Sequence, residues 1–334
     1  MIRATFELEP HGSALALALE ESLGLPDGPA FVRGAVVSEG DGVAVLEFPE
    51  TNWGRNVPLL VSALVAGEGV ETRAFTRCRL VDLQLPDGFL PGPAFPARPG
   101  IGVGAILKPS LGLRPHEAAE VAAAIGSGGA TLVKDDELLG DPDWCPLTKR
   151  VAAVAAALHP CVQYFPNITG ASTTLLDRAR RVVDRGAGGV MVNAFAQGLD
   201  AVLALREADL GVPILAHRVG SGPWARNERF GVSSAVLAML TRLCGADYVL
   251  VGSFGGKLFD SDDEVRAQLD AVRGPLGQAA TATAIVGGGV GPDNVRAQAD
   301  AAGGEGLLML LGSAAYAHEG GVEAGVRATC EALR

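Results

Sequence analysis

Four charged residues in a row, Lys134-Asp135-Asp136-Glu137, follow the apolar pair Leu132-Val133. Carboxylate oxygens in this number suit a hard divalent cation, of which Mg2+ is the usual one. Unpaired charge is too costly to leave inside a core. The preceding segment, His116 to Gly129, reads as a helix with a glycine stop, so Ala130 to Val133 is expected as a short buried strand. The charges then sit where that strand emerges, paired or holding a cation; taken alone, the run also reads as an ordinary solvated cluster. Alternation along a strand puts Lys134 and Asp136 on one face, and Glu137 begins the loop.

Lysine is scarce in this chain. Of 27 basic residues only Lys108, Lys134, Lys149 and Lys257 are lysines, and 23 are arginines. Three of the four stand where an expected strand runs out. An amine can deprotonate and act as base or nucleophile, whereas a guanidinium effectively cannot. The retained lysines therefore mark candidate chemistry.

The elements that must position these groups follow from length and pattern. A chain of 334 residues makes one large domain or two ordinary ones. Residues 2 to 8 alternate like a strand. Gly12 to Leu23 reads as a helix, Phe31 to Val37 and Gly42 to Phe48 as a hairpin, Asn56 to Ala66 as a second helix, and Ala74 to Leu83 as a further strand. That is a compact α+β domain over residues 1–98. Five prolines between Leu85 and Gly100 make a linker. Beyond it, short apolar strands are expected near 101–107, 130–135, 161–165, 189–195, 212–217, 247–252, 281–286 and 306–311, with helices between. Eight such units over residues 99–334 match a (β/α)8 TIM barrel, with a doubly wound open sheet as the alternative. A barrel gathers working residues at the C-terminal ends of its strands. There lie Lys108, Lys134 to Glu137, Asn167, Asn193, His217, Arg218, Lys257, Gly287 to Gly289, Gly312 and Ser313.

A net charge of −11 argues against nucleic acid and anionic membrane as partners. Five scattered cysteines without zinc spacing, and an N-terminus without a signal-like core, fit reduced thiols in a cytoplasm. No apolar run approaches the ~20 residues of a membrane helix.

Five motifs in order resemble those of the ribulose-bisphosphate carboxylase large subunit, and more closely its non-carboxylating relatives, the RuBisCO-like proteins. They are Ile106-Leu-Lys-Pro-Ser-Leu-Gly-Leu113, Val133-Lys-Asp-Asp-Glu137, Tyr164-Phe-Pro-Asn-Ile-Thr-Gly170, Ala216-His-Arg218 and Gly252-Ser-Phe-Gly-Gly-Lys-Leu258. The resemblance implies that Lys134 reacts with CO2 to form a carbamate, which joins Asp136 and Glu137 in binding one Mg2+. It implies that Lys108 works at the enediol and that His217 and Arg218 face the substrate's hydroxyl and phosphate ends. Asn167 falls at the exit of the third strand and counts among the substrate-binding residues. Gly288, Gly289 and Gly312, with Ser313, match a backbone phosphate site. The carboxylase counterpart of Lys257 holds the new carboxylate. Glu20 matches a glutamate that completes a partner subunit's site, which implies a homodimer or an assembly of dimers. Asn193 is expected to cap the following helix.

Departures from the carboxylase pattern decide the expected activity. Ser110 stands for a second lysine, Ser221 for a histidine, Leu250 for a phosphate-facing histidine, and Gly287 for a phosphate-facing serine. Leu25-Pro26 and Gly67-Glu68 also depart. Losing so many groups should abolish efficient CO2 fixation. Enolisation or isomerisation of a phosphorylated ketose or sugar-derived ketone through an enediolate is the retained chemistry. Lys108, the carbamate and Glu68 are the candidate bases. Lys257 keeps a second outcome open, decarboxylation or carbon–carbon cleavage of a 3-oxo sugar acid; a noncatalytic binding relic is the third.

Overall fold

A computed structural model describes residues 1–334. Four strands of the N-terminal sheet, β1 (Ile2–Glu9), β2 (Ala35–Gly40), β3 (Val43–Phe48) and β4 (Arg77–Gln84), pair antiparallel with one another in the order β4-β1-β3-β2. Strict alternation in β1 sends Ile2, Ala4, Phe6 and Leu8 into the core. Helix α1 (Ala14–Glu20) covers that face with Ala14, Leu17 and Ala18. It starts two residues later than its sequence suggests and stops at Glu20. The hairpin turn works because Asp41 (φ 51°) and Gly42 (φ 78°) both take the left-handed conformation that a tight two-residue turn requires. Phe31 is exposed and outside β2, so the first hairpin strand is shorter than expected. Helix α2 (Val57–Leu64) is capped by the Asn56 side chain, which accepts from the Leu59 amide at 3.1 Å. A single turn, α3 (Glu68–Glu71), follows.

The second body is an eight-stranded parallel barrel: β5 (Ile101–Ile106), β6 (Leu132–Lys134), β7 (Gln163–Phe165), β8 (Val190–Asn193), β9 (Ile214–His217), then, past a detour through β10 (Phe230–Val232), β11 (Tyr248–Val251), β12 (Thr283–Val290) and β13 (Leu307–Leu311). All neighbours pair in parallel, β8 with β9 included. An Asn167–Met191 bridge closes β7 against β8. Side chains fill the interior, Leu132, Phe165, Met191, Leu215, Ile285 and Leu308 among them. Helices α4 (Pro115–Ser127) and α5 (Leu147–Ala157) belong to the outer ring, and no helix is long and apolar enough to cross a membrane.

Strand β10 has no counterpart in the expected pattern. Three residues, Phe-Gly-Val, carry too little periodicity to announce a strand. It leaves the barrel after β9 and pairs in parallel with β4, with Phe230 opposite Cys78 and Val232 opposite Leu80. Arg79 adds donations to the carbonyls of Asn227 (2.5 Å) and Ala225 (3.0 Å). The proline-rich stretch is held as well. Buried Asp247, just before β11, accepts from the amides of Ala94 and Phe95 (both 2.9 Å) and Ile214 (2.8 Å), and pairs with Arg206.

Candidate active site

At the C-terminal ends of the barrel strands lies a cavity of about 360 Å3. Lys108, Glu137, His217, Arg218, Lys257, Gly288, Gly289, Gly312 and Ser313 all line it. Strand β6 is fully buried through Lys134, so the charges emerge only at the strand's end. The Lys134 ammonium has no solvent contact; it donates to the Asp135 carbonyl (2.8 Å) and lies 3.5 Å from Glu137 Oε2. Burial pushes the Lys134 amine below the usual lysine range, against the pull of Glu137, Asp136 and Asp135. Burial alone would raise the Glu137 carboxyl, but Lys134 and Lys108 hold it below its ordinary value.

Asp136 is buried, and its Oδ2 accepts from Lys108 Nζ at 2.5 Å and from Ser110 Oγ at 3.0 Å. The backbone of Lys108 is fixed by Tyr316, whose hydroxyl accepts from the Lys108 amide (3.0 Å) and donates to the Ile106 carbonyl (2.8 Å). His217 Nε2 lies 3.5 Å from Glu137 Oε2. Burial, then Lys134, drive the His217 pKa well down, so the ring is neutral. Its Nδ1 accepts from the Val219 amide (3.1 Å), which places the ring proton on Nε2, facing the cavity residues.

Asn167 and Asn193 are the clearest revisions. Both are buried, and neither lines the cavity. Their side-chain amides donate to one acceptor, the Glu137 carbonyl, at 3.0 and 2.9 Å. Asn193 makes no side-chain cap: its Nδ2 donates to the Glu137 carbonyl, and its Oδ1, the atom a cap would use, accepts from no backbone amide. The two asparagines fix the backbone of Glu137. The Asp135 carboxylate accepts from Tyr164 Oη (2.6 Å), Arg150 Nη2 (2.9 Å) and the Asn167 amide (2.9 Å). Nothing in the sequence flagged Arg150, since an arginine in a helix is normally a surface residue.

Arg218 also departs from expectation. It reaches the cavity wall, but Nη1 is 2.8 Å from Asp260 Oδ2 and Nη2 donates to Asp260 Oδ1 at 3.1 Å. Lys257 is exposed, and its backbone amide donates to the Gly288 carbonyl (3.0 Å). Gly288 and Gly289 have φ of +109° and +113°, and a Cβ at Gly288 would meet Leu258 at 2.8 Å. Glu20 is exposed on α1 and does not line the cavity of its own chain.

Its neighbour Glu21 turns inward and accepts from the Gly69 amide at 3.0 Å. Burial, opposed by that amide and assisted by Glu68 and Glu20, raises the Glu21 carboxyl to about 7. The folded chain then keeps a proton that the unfolded chain releases near 4.5, so stability falls as pH rises from about 4.5 to 7. Glu21→Gln should abolish that fall and be more stable than the parent at pH 8 by about 2 kcal/mol, a value reduced for partial exposure. Thermal unfolding of both proteins at pH 4.5 and pH 8 checks it; equal gains at both pH values would contradict it.

Comparison with known proteins agrees with this geometry. Residues 95–334 match the family described as ribulose bisphosphate carboxylase large chain, catalytic domain. A ribulose bisphosphate carboxylase-like protein of Allochromatium vinosum is 33% identical over 311 residues, covering 85% of this chain and 67% of that one. The 2,3-diketo-5-methylthiopentyl-1-phosphate enolase of Geobacillus kaustophilus is 34% identical over 233 residues, 63% of this chain and 55% of its own. The 3-oxo-isoapionate-4-phosphate transcarboxylase/hydrolase of Xanthobacter autotrophicus is 33% identical over 268 residues, 74% of this chain and 64% of its own. The chain thus spans less than two thirds of the length of both these enzymes. A solved rubisco-like protein from Burkholderia fungorum superposes with a TM-score of 0.88 at 26% identity, covering 99% of this chain and 93% of that one. With barrel, N-terminal sheet and Lys-Asp-Asp-Glu motif in place, the chain belongs to the ribulose-bisphosphate carboxylase large-chain family, among its RuBisCO-like proteins.

Proposed function

We propose that this protein is a Mg2+-dependent enzyme that enolises a phosphorylated ketose or sugar-derived ketone without fixing CO2. One observation carries the reading: Lys108 pairs with buried Asp136, while buried Lys134 and His217 both lie against Glu137, which lines the cavity with Lys108 and His217. Asp136 and Glu137 are two carboxylates, the number by which Mg2+ is often held alongside water and substrate oxygens. A carbamate on Lys134 makes the set three, and an amine with a depressed pKa is the neutral nucleophile that carbamate formation needs. Held by Asp136, Glu137 and carbamylated Lys134, Mg2+ would act as a Lewis acid toward the substrate carbonyl.

The chain's own groups supply the rest. The backbone amides around Gly288–Gly289 and Gly312–Ser313 take the phosphate, where the absence of side chains lets the ligand approach. His217 Nε2–H donates to the oxygen that becomes enediolate. Lys108 Nζ, which lines the cavity, is the candidate base for the carbon-bound proton; Glu68 and the carbamate are the others. Exposed Glu20 serves the partner's site in a homodimer. The five free cysteines fit a reducing, cytoplasmic setting.

Lys257 favours a second reading. An ammonium lining the same cavity suits the carboxylate of a 3-oxo acid, whose loss of CO2 or carbon–carbon cleavage reaches the same enediolate. A screen of phosphorylated ketoses and 3-oxo sugar acids for solvent-deuterium incorporation, with Mg2+ and bicarbonate, tests the proposal. At least one ketone should exchange, Lys108→Met should lower exchange by about 10²–10⁴-fold, and ribulose bisphosphate should yield no labelled 3-phosphoglycerate. Exchange by no compound, or a carboxylase-like rate, would overturn it. Light scattering on the same sample should return a dimer.

A further inference from the structure

A second cleft, of about 560 Å3, opens where the N-terminal sheet meets the barrel. Glu7 of β1 with Arg77 and Arg79 of β4 forms one wall. The segment leading into β10 supplies Ala225, Arg226 and Glu228, and Phe259 and Glu264, beyond β11, close the remaining side. The charges of this lining are unevenly paired. Arg77 is taken, with its guanidinium 2.9 Å from Glu7 and 3.6 Å from Glu9. Arg79 is 8% exposed, and it donates only to the carbonyls of Asn227 and Ala225. Burial lowers the Arg79 pKa, against the pull of Glu7, Glu264 and Glu228, none of which reaches ion-pair distance. Exposed Arg226 has no carboxylate partner either. On the acidic side, Glu264 Oε2 accepts from the Ser261 amide (2.7 Å) and hydroxyl (3.0 Å) but meets no cation. Exposed Glu228 is likewise unpaired.

Two cations and two anions therefore face one cleft without direct partners. A buried guanidinium lacking a counter-charge is unfavourable, and a ligand carboxylate would give Arg79 a charge-assisted hydrogen bond. A dianion such as phosphate would also meet Glu228 and Glu264, and a diamine would meet Arg79 and Arg226. A molecule with one carboxylate and one ammonium satisfies both pairs. Buried Ala225 and Phe259, which also walls the active-site cavity, supply an apolar surface. We propose that this cleft binds a zwitterionic amino acid with an apolar side chain, its carboxylate on Arg79 and Arg226 and its ammonium on Glu228 and Glu264. The site is separate from the proposed enolisation and does not depend on it.

Titration calorimetry of the full chain tests this with three probes: L-leucine, 4-methylpentanoate, which lacks the ammonium, and 3-methylbutylamine, which lacks the carboxylate. Leucine should bind about tenfold more tightly than either, the scale of one charge-assisted contact. Arg79→Gln should weaken leucine about tenfold and leave 3-methylbutylamine no weaker. Should that variant fail to fold, Arg226→Ala, at an exposed side chain, should still weaken leucine about threefold. Glu228→Gln should weaken leucine about threefold and leave 4-methylpentanoate no weaker. No leucine binding at millimolar concentration, or leucine no tighter than the other two probes, overturns the proposal. Leucine affinity unchanged in folded Arg79→Gln, or in Arg226→Ala where the former does not fold, overturns it as well, because leucine would then sit elsewhere.

Discussion

Lys134→Met should abolish the bicarbonate dependence of Mg2+ binding and lower enolisation by roughly three orders of magnitude, the scale expected when a group that stabilises developing charge is removed. Methionine is the instructive replacement. Lys134 is fully buried, so arginine would overpack the strand end, whereas methionine has a similar shape and no amine. In the parent, Mg2+ affinity should climb with bicarbonate, because the carbamate turns a repelling ammonium into an oxygen donor. That repulsion at a few ångströms is on the order of kilocalories. Burial lowers the Lys134 pKa, so the neutral amine becomes available below the pH that free lysine requires. Activation by CO2 should accordingly rise with pH and reach its midpoint below the usual lysine range. Calorimetric Mg2+ titrations at two bicarbonate concentrations provide the readout. Identical Mg2+ affinities with and without bicarbonate in the parent would end the carbamate idea, whatever the activity.

Arg150→Met should destabilise the protein by about 3–5 kcal/mol, because it leaves the Asp135 carboxylate buried and unpaired. Both side chains are fully buried, and Arg150 donates twice to Asp135, at 2.9 and 3.2 Å. It also donates to the carbonyls of Gly140 (2.8 Å) and Cys145 (2.9 Å), so the loop following Glu137 loses its anchor too. Chemical denaturation measures the cost. Adding Asp135→Asn should return part of it, since an amide needs no counter-charge. A loss under about 1 kcal/mol would show that the pair is replaceable by packing.

The barrel was legible because its strands are short apolar runs separated by helix patterns, and the register of eight units leaves little choice of topology. The site was legible where chemistry restricts residue type. Lysine stands out in an arginine-rich chain, and three consecutive carboxylates at a strand end are a cation-binding pattern as well as a solvated cluster. What stayed hidden depends on orientation. Asn167 and Asn193 sit at strand ends as ligands do, yet both side chains point at the Glu137 carbonyl. Arg218 is followed by no sign that Asp260, forty-two residues later, will claim it. Arg150 and Asp135 form a pair that only the packing of α5 behind β6 brings together. Strand β10 is too short for its alternation to be read.

That strand has a consequence for how the protein can be taken apart. A cut at residue 98 divides the sequence but not the sheet, because the barrel half carries one strand of the other body's sheet. The two halves are therefore not interchangeable cassettes. Grafting a relative's N-terminal sheet onto this barrel would demand that β10 and its partner β4 be transplanted together, so shuffling between such proteins is confined to exchanges that keep both sides of that one seam from a single parent.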